Sequence, residues 1–410
     1  MSGPVLEPNA VTGTAEGRTF QIKNCLGRGG FGEVYRATMM SAGGLRTEVA
    51  VKVLHAEVDP GSQAIQRLRD EGQMLGAVRH PSVLKVHDLV ALDGRVALVT
   101  EYVEGQDLDK CIVAPLGAPA RVDPLPARAV LEVIAKVADG LYAAYHSPSP
   151  TGDGPLQLVH RDIKPANIRL GRHGEVKLLD FGIARAANSD REARTETNAM
   201  LGSYLYMAPE RFLDNVESGP AVDVYALGLT LYEGLTGRRM FGDLSLKEVY
   251  LLVLEGPRYD AHVKAALEKI PHEVPHQVVA LIHRTLSLDP ANRPDHETMS
   301  RTCHDLAERL PGRSLERWAR GRDWPPPRVV RGVLDGSTLQ EQSGVSSRPL
   351  PPVITSESQG DLLRTASTTL ERPGVVVGVG VGLFGVTATL AVLIGLAVIG
   401  VVSLVMALRA

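Results

Sequence analysis

Asp162, Lys164, Asn167 and Asp180 are the residues of this chain best suited to chemistry. They stand in Val159-His160-Arg161-Asp162-Ile163-Lys164-Pro165-Ala166-Asn167 and in Asp180-Phe181-Gly182. A carboxylate can take a proton from a hydroxyl while a nearby ammonium offsets charge on the group being transferred. An asparagine and an aspartate supply hard oxygens of the kind Mg2+ accepts, few from the protein and the rest from phosphate and water. The set suits phosphoryl transfer, where positioning and charge stabilisation supply most of the catalysis. A charged surface loop is the plain alternative, but the whole set in this order is hard to produce by accident.

Phosphates also need a cradle. Leu26-Gly27-Arg28-Gly29-Gly30-Phe31-Gly32-Glu33-Val34 fits G-x-G-x-x-G-x-V between two strand-like runs. Its glycines permit a tight hairpin whose N–H groups approach an anion. A dinucleotide-binding turn is the rival, and it requires a helix directly after the glycines. Here Glu33-Val34-Tyr35-Arg36-Ala37 continues as a strand. Lys52, in Val49-Ala50-Val51-Lys52, lies on a short strand. If it faces inward it needs an anionic partner, because an unpaired buried ammonium is costly.

Taken together, these stretches resemble the glycine-rich, catalytic and magnesium loops of eukaryotic-like (Hanks-type) protein kinases. The likeness runs over residues 18–310 and is nearest to the bacterial Ser/Thr branch. It implies an α+β, bilobal protein-kinase fold. The N-lobe, 18–103, would be β-rich with one main helix, and the C-lobe, 104–310, mostly helical. It implies that ATP lies against Leu26, Gly27, Arg28, Gly29, Gly30, Phe31, Gly32, Glu33, Val34 and Ala50. Lys52 would hold the α/β-phosphates and pair with Glu71, whose neighbour Asp70 is the residue to exclude. Thr100-Glu101-Tyr102-Val103-Glu104-Gly105 resembles the hinge. Backbone groups near Glu101 and Val103 would bond adenine, Asp107 would contact ribose, and Thr100 would be the gatekeeper.

The same resemblance makes Asp162 the proton acceptor and Lys164 the stabiliser of the transferring phosphoryl. Asn167 and Asp180 would bind Mg2+, with Mn2+ an acceptable substitute. Asp180 to Glu210 resembles an activation segment ending in Met207-Ala208-Pro209-Glu210. Glu210 would pair with Arg293, and Asp223 would brace the catalytic loop. A phosphate on Thr195 or Thr197 would dock on Arg161. Gly202-Ser203 replaces the more frequent Gly-Thr and keeps a hydroxyl. Arg169 stands where the family commonly has an apolar residue beneath adenine. Its stem would cover the base while its head reaches water.

The positioning elements read as follows. Strands are expected around 20–36 and over 48–54, 83–90 and 95–102. Helices are expected over 62–78, 127–146, 221–237, 245–255, 275–287 and 296–309. Ile112–Arg128 and Ser147–Gln157 read as loops, and 1–17 as a flexible leader. Residues 311–373 read as a linker, basic and Pro-containing at first, then rich in Ser and Thr from Gly336. Residues 374–408 carry no charge. That run exceeds the ~20 apolar residues a membrane helix needs. It is expected to be a single-pass anchor in the inner membrane, with the catalytic region cytoplasmic. Gly374, Gly378 and Gly382 repeat every four residues, a spacing that permits close helix crossing and a homodimer. General glycine enrichment in membrane helices is an equal reading.

Composition removes other classes. The formal net charge of −3 gives no basic signature for nucleic acid. Cys25, Cys111 and Cys303 form no CxxC pair, so reduced thiols are expected rather than disulfides or a zinc site. Protein substrates are the expected partners. A catalytically silent scaffold of this fold would lack the lysine, the base or a metal ligand, and none is missing. A small-molecule kinase is disfavoured by the complete segment Gly202–Glu210.

Overall fold

The alternation in Arg46–Leu54 decides where Lys52 points. Val49, Val51 and Val53 are buried on one face, and Ala50 and Lys52 turn to the other. In the computed structural model this strand, β3, is central to an antiparallel sheet. Its companions are β1 (Thr19–Arg28), β2 (Gly32–Met40), β4 (Val86–Leu92) and β5 (Arg95–Glu101). The structure describes residues 17–28, 32–54, 72–112, 123–149, 152, 154–181, 203–212, 219–326 and 330–341. All belong to the first of two units, 1–350 and 351–410. Gly29, Gly30, Phe31, Glu71, Thr195 and Thr197 lie outside the described residues, as does the apolar run 374–408. No helix among the described residues is long and apolar enough to cross a membrane.

Two glycine features shape the sheet. A Cβ on Gly32 would stand 2.2 Å from Val53 O, so the crossing of β2 and β3 excludes a side chain. Asp93 and Gly94, with φ of 45° and 80°, form the two-residue turn between β4 and β5. Residues 72–77 are helical, the end of the helix expected over 62–78.

The second lobe is built on α1 (Ala127–His146), whose apolar stripe is buried from Ala129 to Ala144. It packs against α2 (Ala221–Thr236), which is buried nearly all round and stops at Gly237 in a left-handed cap. Then follow α3 (Leu246–Leu254), α4 (Gly256–Leu267), α5 (His276–Thr285) and α6 (His296–Arg309). Ser245 and Glu248 close a capping box on α3. Helix α4 was not expected; it starts at Gly256-Pro257, and proline is well placed in a first helical turn. A small sheet, β6 (Gly105–Asp107), β7 (Ile168–Gly171) and β8 (Val176–Leu178), lies under the hinge.

The expectation of a linker beginning at 311 is corrected over 311–326 and 330–341. Leu315–Gly321 is a helix, α7, with Trp318 fully buried. Thr338–Gln340 is a strand, β9, paired antiparallel to β1 as the sixth strand of the sheet, in the order β4-β5-β3-β2-β1-β9. The physical reason is that a few anchors suffice. Leu315, Trp318 and Leu339 are each buried against surfaces other elements have already formed. Such isolated anchors carry no periodicity.

Candidate active site

The catalytic loop is held from beneath by a buried carboxylate. Asp223, on α2, is 1% exposed and accepts from His160 N at 2.8 Å and Arg161 N at 2.7 Å. Arg161 adopts φ 65°, a left-handed conformation that a non-glycine residue holds only when its surroundings impose it. His160 is fully buried, and burial holds its pKa below the ordinary 6.5. The neutral ring places Nε2 3.0 Å from Leu179 O and Nδ1 3.3 Å from Asp162 N. Donation from Nε2 and acceptance at Nδ1 satisfy both contacts with one tautomer. The ring also packs on Phe181, 4.5 Å between centroids.

On this base three of the four opening residues converge. Lys164 Nζ donates to Asp162 Oδ2 at 2.8 Å and to Ser203 Oγ at 2.8 Å. Asn167 Nδ2 donates to Asp162 O at 2.8 Å and to Asp162 Oδ2 at 3.0 Å. The fourth, Asp180, follows a backbone tie from Leu179 N to Asn167 O of 2.9 Å. Asp180 has φ 48°, and its Oδ1 lies 3.3 Å from Lys52 Nζ. That contact joins β3 to the opposite lobe. Glu71, the expected partner of Lys52, lies outside the described residues.

Asn167 has its amide nitrogen engaged twice, so its oxygen is the atom presented outward. With the exposed Asp180 carboxylate it offers two hard oxygens, from segments tied together by the Leu179–Asn167 backbone bond. That is a sparse set fitted to a hydrated Mg2+. No larger cluster of metal-binding side chains occurs among the described residues.

A cleft of about 690 Å³ reaches this site at Lys52 and Asp180. Leu26, Gly27, Val34, Ala50 and Lys52 form its roof, Thr100, Glu101 and Val103 its back, and Asp107 and Arg169 its floor. Arg28 and Glu33 were expected at the nucleotide but are not among the lining residues. They pair with each other at 2.6 Å, and Glu33 is buried against Tyr35. The Glu101 side chain also turns away, accepting from Lys85 N at 2.7 Å and Lys177 Nζ at 2.6 Å.

Arg169 departs from expectation. Its head does not reach for water. Nη1 donates to Asp107 Oδ1 at 2.9 Å and Nε donates to Val103 O at 3.2 Å. Burial pushes the Asp107 carboxyl above its usual range, and the Arg169 charge opposes this. The position expected to serve ribose is therefore already engaged.

Glu210 and Arg293 form a bidentate pair at 2.7 and 2.8 Å, with side chains 8% and 0% exposed. Among the cleft residues that sequence reasoning overlooked are Pro325, Pro326 and Val330. Nothing in their local pattern marks them, since they belong to a Pro-rich run beyond the helical region.

The family model for the protein kinase domain matches residues 20–305. The chain belongs to the protein kinase family. The kinase is 33% identical over 295 residues to the serine/threonine-protein kinase PrkC of Bacillus subtilis, covering 71% of this chain and 41% of that protein. It is 33% identical over 286 residues to the serine/threonine-protein kinase PknA of Mycobacterium tuberculosis, covering 68% and 59%. It is 31% identical over 289 residues to the tyrosine-protein kinase MasK of Myxococcus xanthus, covering 70% and 43%. The kinase thus matches about half the length of these relatives.

Proposed function

We propose that this kinase transfers the γ-phosphoryl group of ATP to serine or threonine hydroxyls of proteins. The observation that carries the reading is Lys164, which joins the Asp162 carboxylate to the Ser203 hydroxyl of the activation segment. A lysine there stabilises charge on the transferring group while Asp162 accepts the proton of the attacking hydroxyl. The new bond forms from that oxygen to the γ-phosphorus, and the bond to the β–γ bridging oxygen breaks, releasing ADP. Asn167 and Asp180 would hold Mg2+, which would supply positive charge against the phosphates. Lys52 positions the α/β-phosphates, and the hinge backbone at Glu101 and Val103 receives adenine.

The named activities of PrkC and PknA favour serine and threonine, and that of MasK favours tyrosine. Phosphoamino-acid analysis of a general protein substrate labelled from γ-labelled ATP decides between them. Label on serine or threonine, abolished in Asp162→Asn, is the expected result. Label only on tyrosine, or label undiminished by Asp162→Asn, refutes the proposal.

The uncharged run 374–408 supports a single-pass anchor holding the catalytic region at the cytoplasmic face of the inner membrane. The spacing of Gly374, Gly378 and Gly382 supports pairing of two chains there. Regulation would act at Thr195 or Thr197. Arg161 Nε is buried and has no hydrogen-bond partner among the described residues, so a phosphate would supply one. Loss of the chain from membrane fractions on deleting 374–408 is the outcome that tests the anchor.

A further inference from the structure

The family match ends at residue 305, yet the polypeptide beyond it returns to the nucleotide cleft. Its first anchor is on the C-lobe. Trp318 is fully buried and donates from Nε1 to Asp123 O at 3.1 Å. Arg322 lies over both the Trp318 and Trp324 rings, 4.9 and 5.5 Å from their centroids. The same guanidinium donates to Asp123 O at 2.8 Å and to Gln106 Oε1 at 3.2 Å. Gln106 sits in β6 between two cleft-lining residues, Gly105 and Asp107. Pro325 and Pro326 follow directly, at the cleft.

The second anchor is on the N-lobe. Val330 N donates to Cys25 O at 3.4 Å. A Cβ on Gly332 would stand 2.4 Å from Tyr35 Cε1, so this segment lies tight on the sheet. The glycine flap is gripped as well. Arg28 Nη2 donates to Arg331 O at 2.5 Å, and Val333 N donates to Glu33 at 3.4 Å. Leu339 in β9 is buried in the N-lobe core, and the Glu341 carboxylate accepts from Arg18 N at 3.0 Å and Nε at 2.9 Å.

We propose that residues 315–326 and 330–341 are a working part of the nucleotide site, fastened to both lobes. Pro325, Pro326 and Val330 form its outer wall and cover the adenosine moiety. Arg331 and Val333 hold the flap residues Arg28 and Glu33 in register with that wall. The inference rests on the reading of ATP as the nucleotide bound. A wall fastened at both ends slows the departure of adenosine nucleotides more than it changes transfer itself.

The test uses the full chain and a fluorescent N-methylanthraniloyl-ATP with Mg2+, with dissociation followed by stopped flow. Leu339→Asp unseats β9, and dissociation should quicken about 10-fold. Val330→Cys provides the opposite perturbation without unseating anything. Cys25 and Val330 form an antiparallel bridge, and such paired positions bring Cα atoms within about 5.5 Å, inside disulfide range. Val330→Cys would bond to Cys25 on oxidation, slow dissociation several-fold, and recover on adding dithiothreitol. Rates within two-fold of the unmodified chain in both Leu339→Asp and oxidised Val330→Cys overturn the proposal. An unmodified chain that binds no nucleotide refutes the ATP reading itself, and the wall with it. Normal binding with unchanged rates refutes the wall alone.

Discussion

Arg293→Met is expected to destabilise the kinase by about 4 kcal/mol. The Arg293 side chain is wholly buried and Glu210 nearly so, and the two share bonds of 2.7 and 2.8 Å. Removing one partner of such a pair leaves a buried charge without compensation, at roughly 3–5 kcal/mol. Arg293 also donates to Ser287 O at 2.9 Å and Ala221 O at 3.0 Å. Each lost bond adds about 1 kcal/mol. The apolar methionine side chain offsets about as much by filling the space over Tyr225. A loss of this size is a large share of the ~5–15 kcal/mol typical of a domain. The assay is urea unfolding of the full chain at pH 7.5, followed by tryptophan fluorescence. The double variant Glu210→Leu/Arg293→Met removes both charges and should recover at least half the loss. An Arg293→Met cost below about 1 kcal/mol, or a double variant no better than the single, refutes the assignment of the energy to an uncompensated charge.

Three further outcomes are expected. Burial keeps His160 and His296 below the ordinary 6.5. The unfolded chain therefore takes up protons first, and stability falls as pH drops below about 6.5. Glu233, raised by burial, works in the opposite sense, so the urea midpoint should drop less between pH 7.5 and 5.5 in His296→Gln than in the unmodified chain. Equal drops contradict the assignment. In Gly105→Ala the new Cβ would stand 1.8 Å from Leu170 O, so β6 and β7 must part at a cost of about 2–3 kcal/mol; an unchanged melting temperature excludes this. Arg169→Leu frees Asp107 for ribose at the loss of a part-exposed pair worth ~1 kcal/mol, so ATP should bind about 5-fold tighter. The gain should vanish with 2′,3′-dideoxy-ATP; an equal gain with both nucleotides refutes competition for Asp107.

The kinase resemblance was readable because its chemistry fixes residue types at short spacing. Asp162, Lys164 and Asn167 meet within one loop, where neighbours in sequence become neighbours in space. Strand β3 was readable from alternation and α1 from its apolar stripe. Side-chain direction was much less accessible. Arg28 and Glu33 share a motif with Gly27, yet only Gly27 of the three lines the cleft. Which way a strand side chain leans depends on what packs behind it, and here Tyr35 and Val333 do. Arg169 failed for the same reason. Its expected exit to water assumed no carboxylate within reach, and Asp107 is on the adjacent strand, paired directly opposite it.

That pairing shows how little backbone is needed to set the floor of the cleft. β6 is three residues long, and each has a separate constraint. Gly105 lets the strand approach Leu170 more closely than any side chain would allow. Gln106 accepts from Arg322, whose guanidinium lies over two tryptophan rings. Asp107 accepts from Arg169. Because the three are consecutive, their carriers cannot move independently. A shift of Arg322 pulls β6, and β6 carries Asp107 toward or away from the space where ribose would lie. Strengthening the Arg169–Asp107 contact would in turn hold β6 still against such a pull. The unusual arginine in the floor and the wall beyond residue 311 are therefore linked through one short strand. They should prove coupled in a double-variant comparison of Arg169→Leu with Arg322→Ala, and strictly additive effects on nucleotide affinity would separate them.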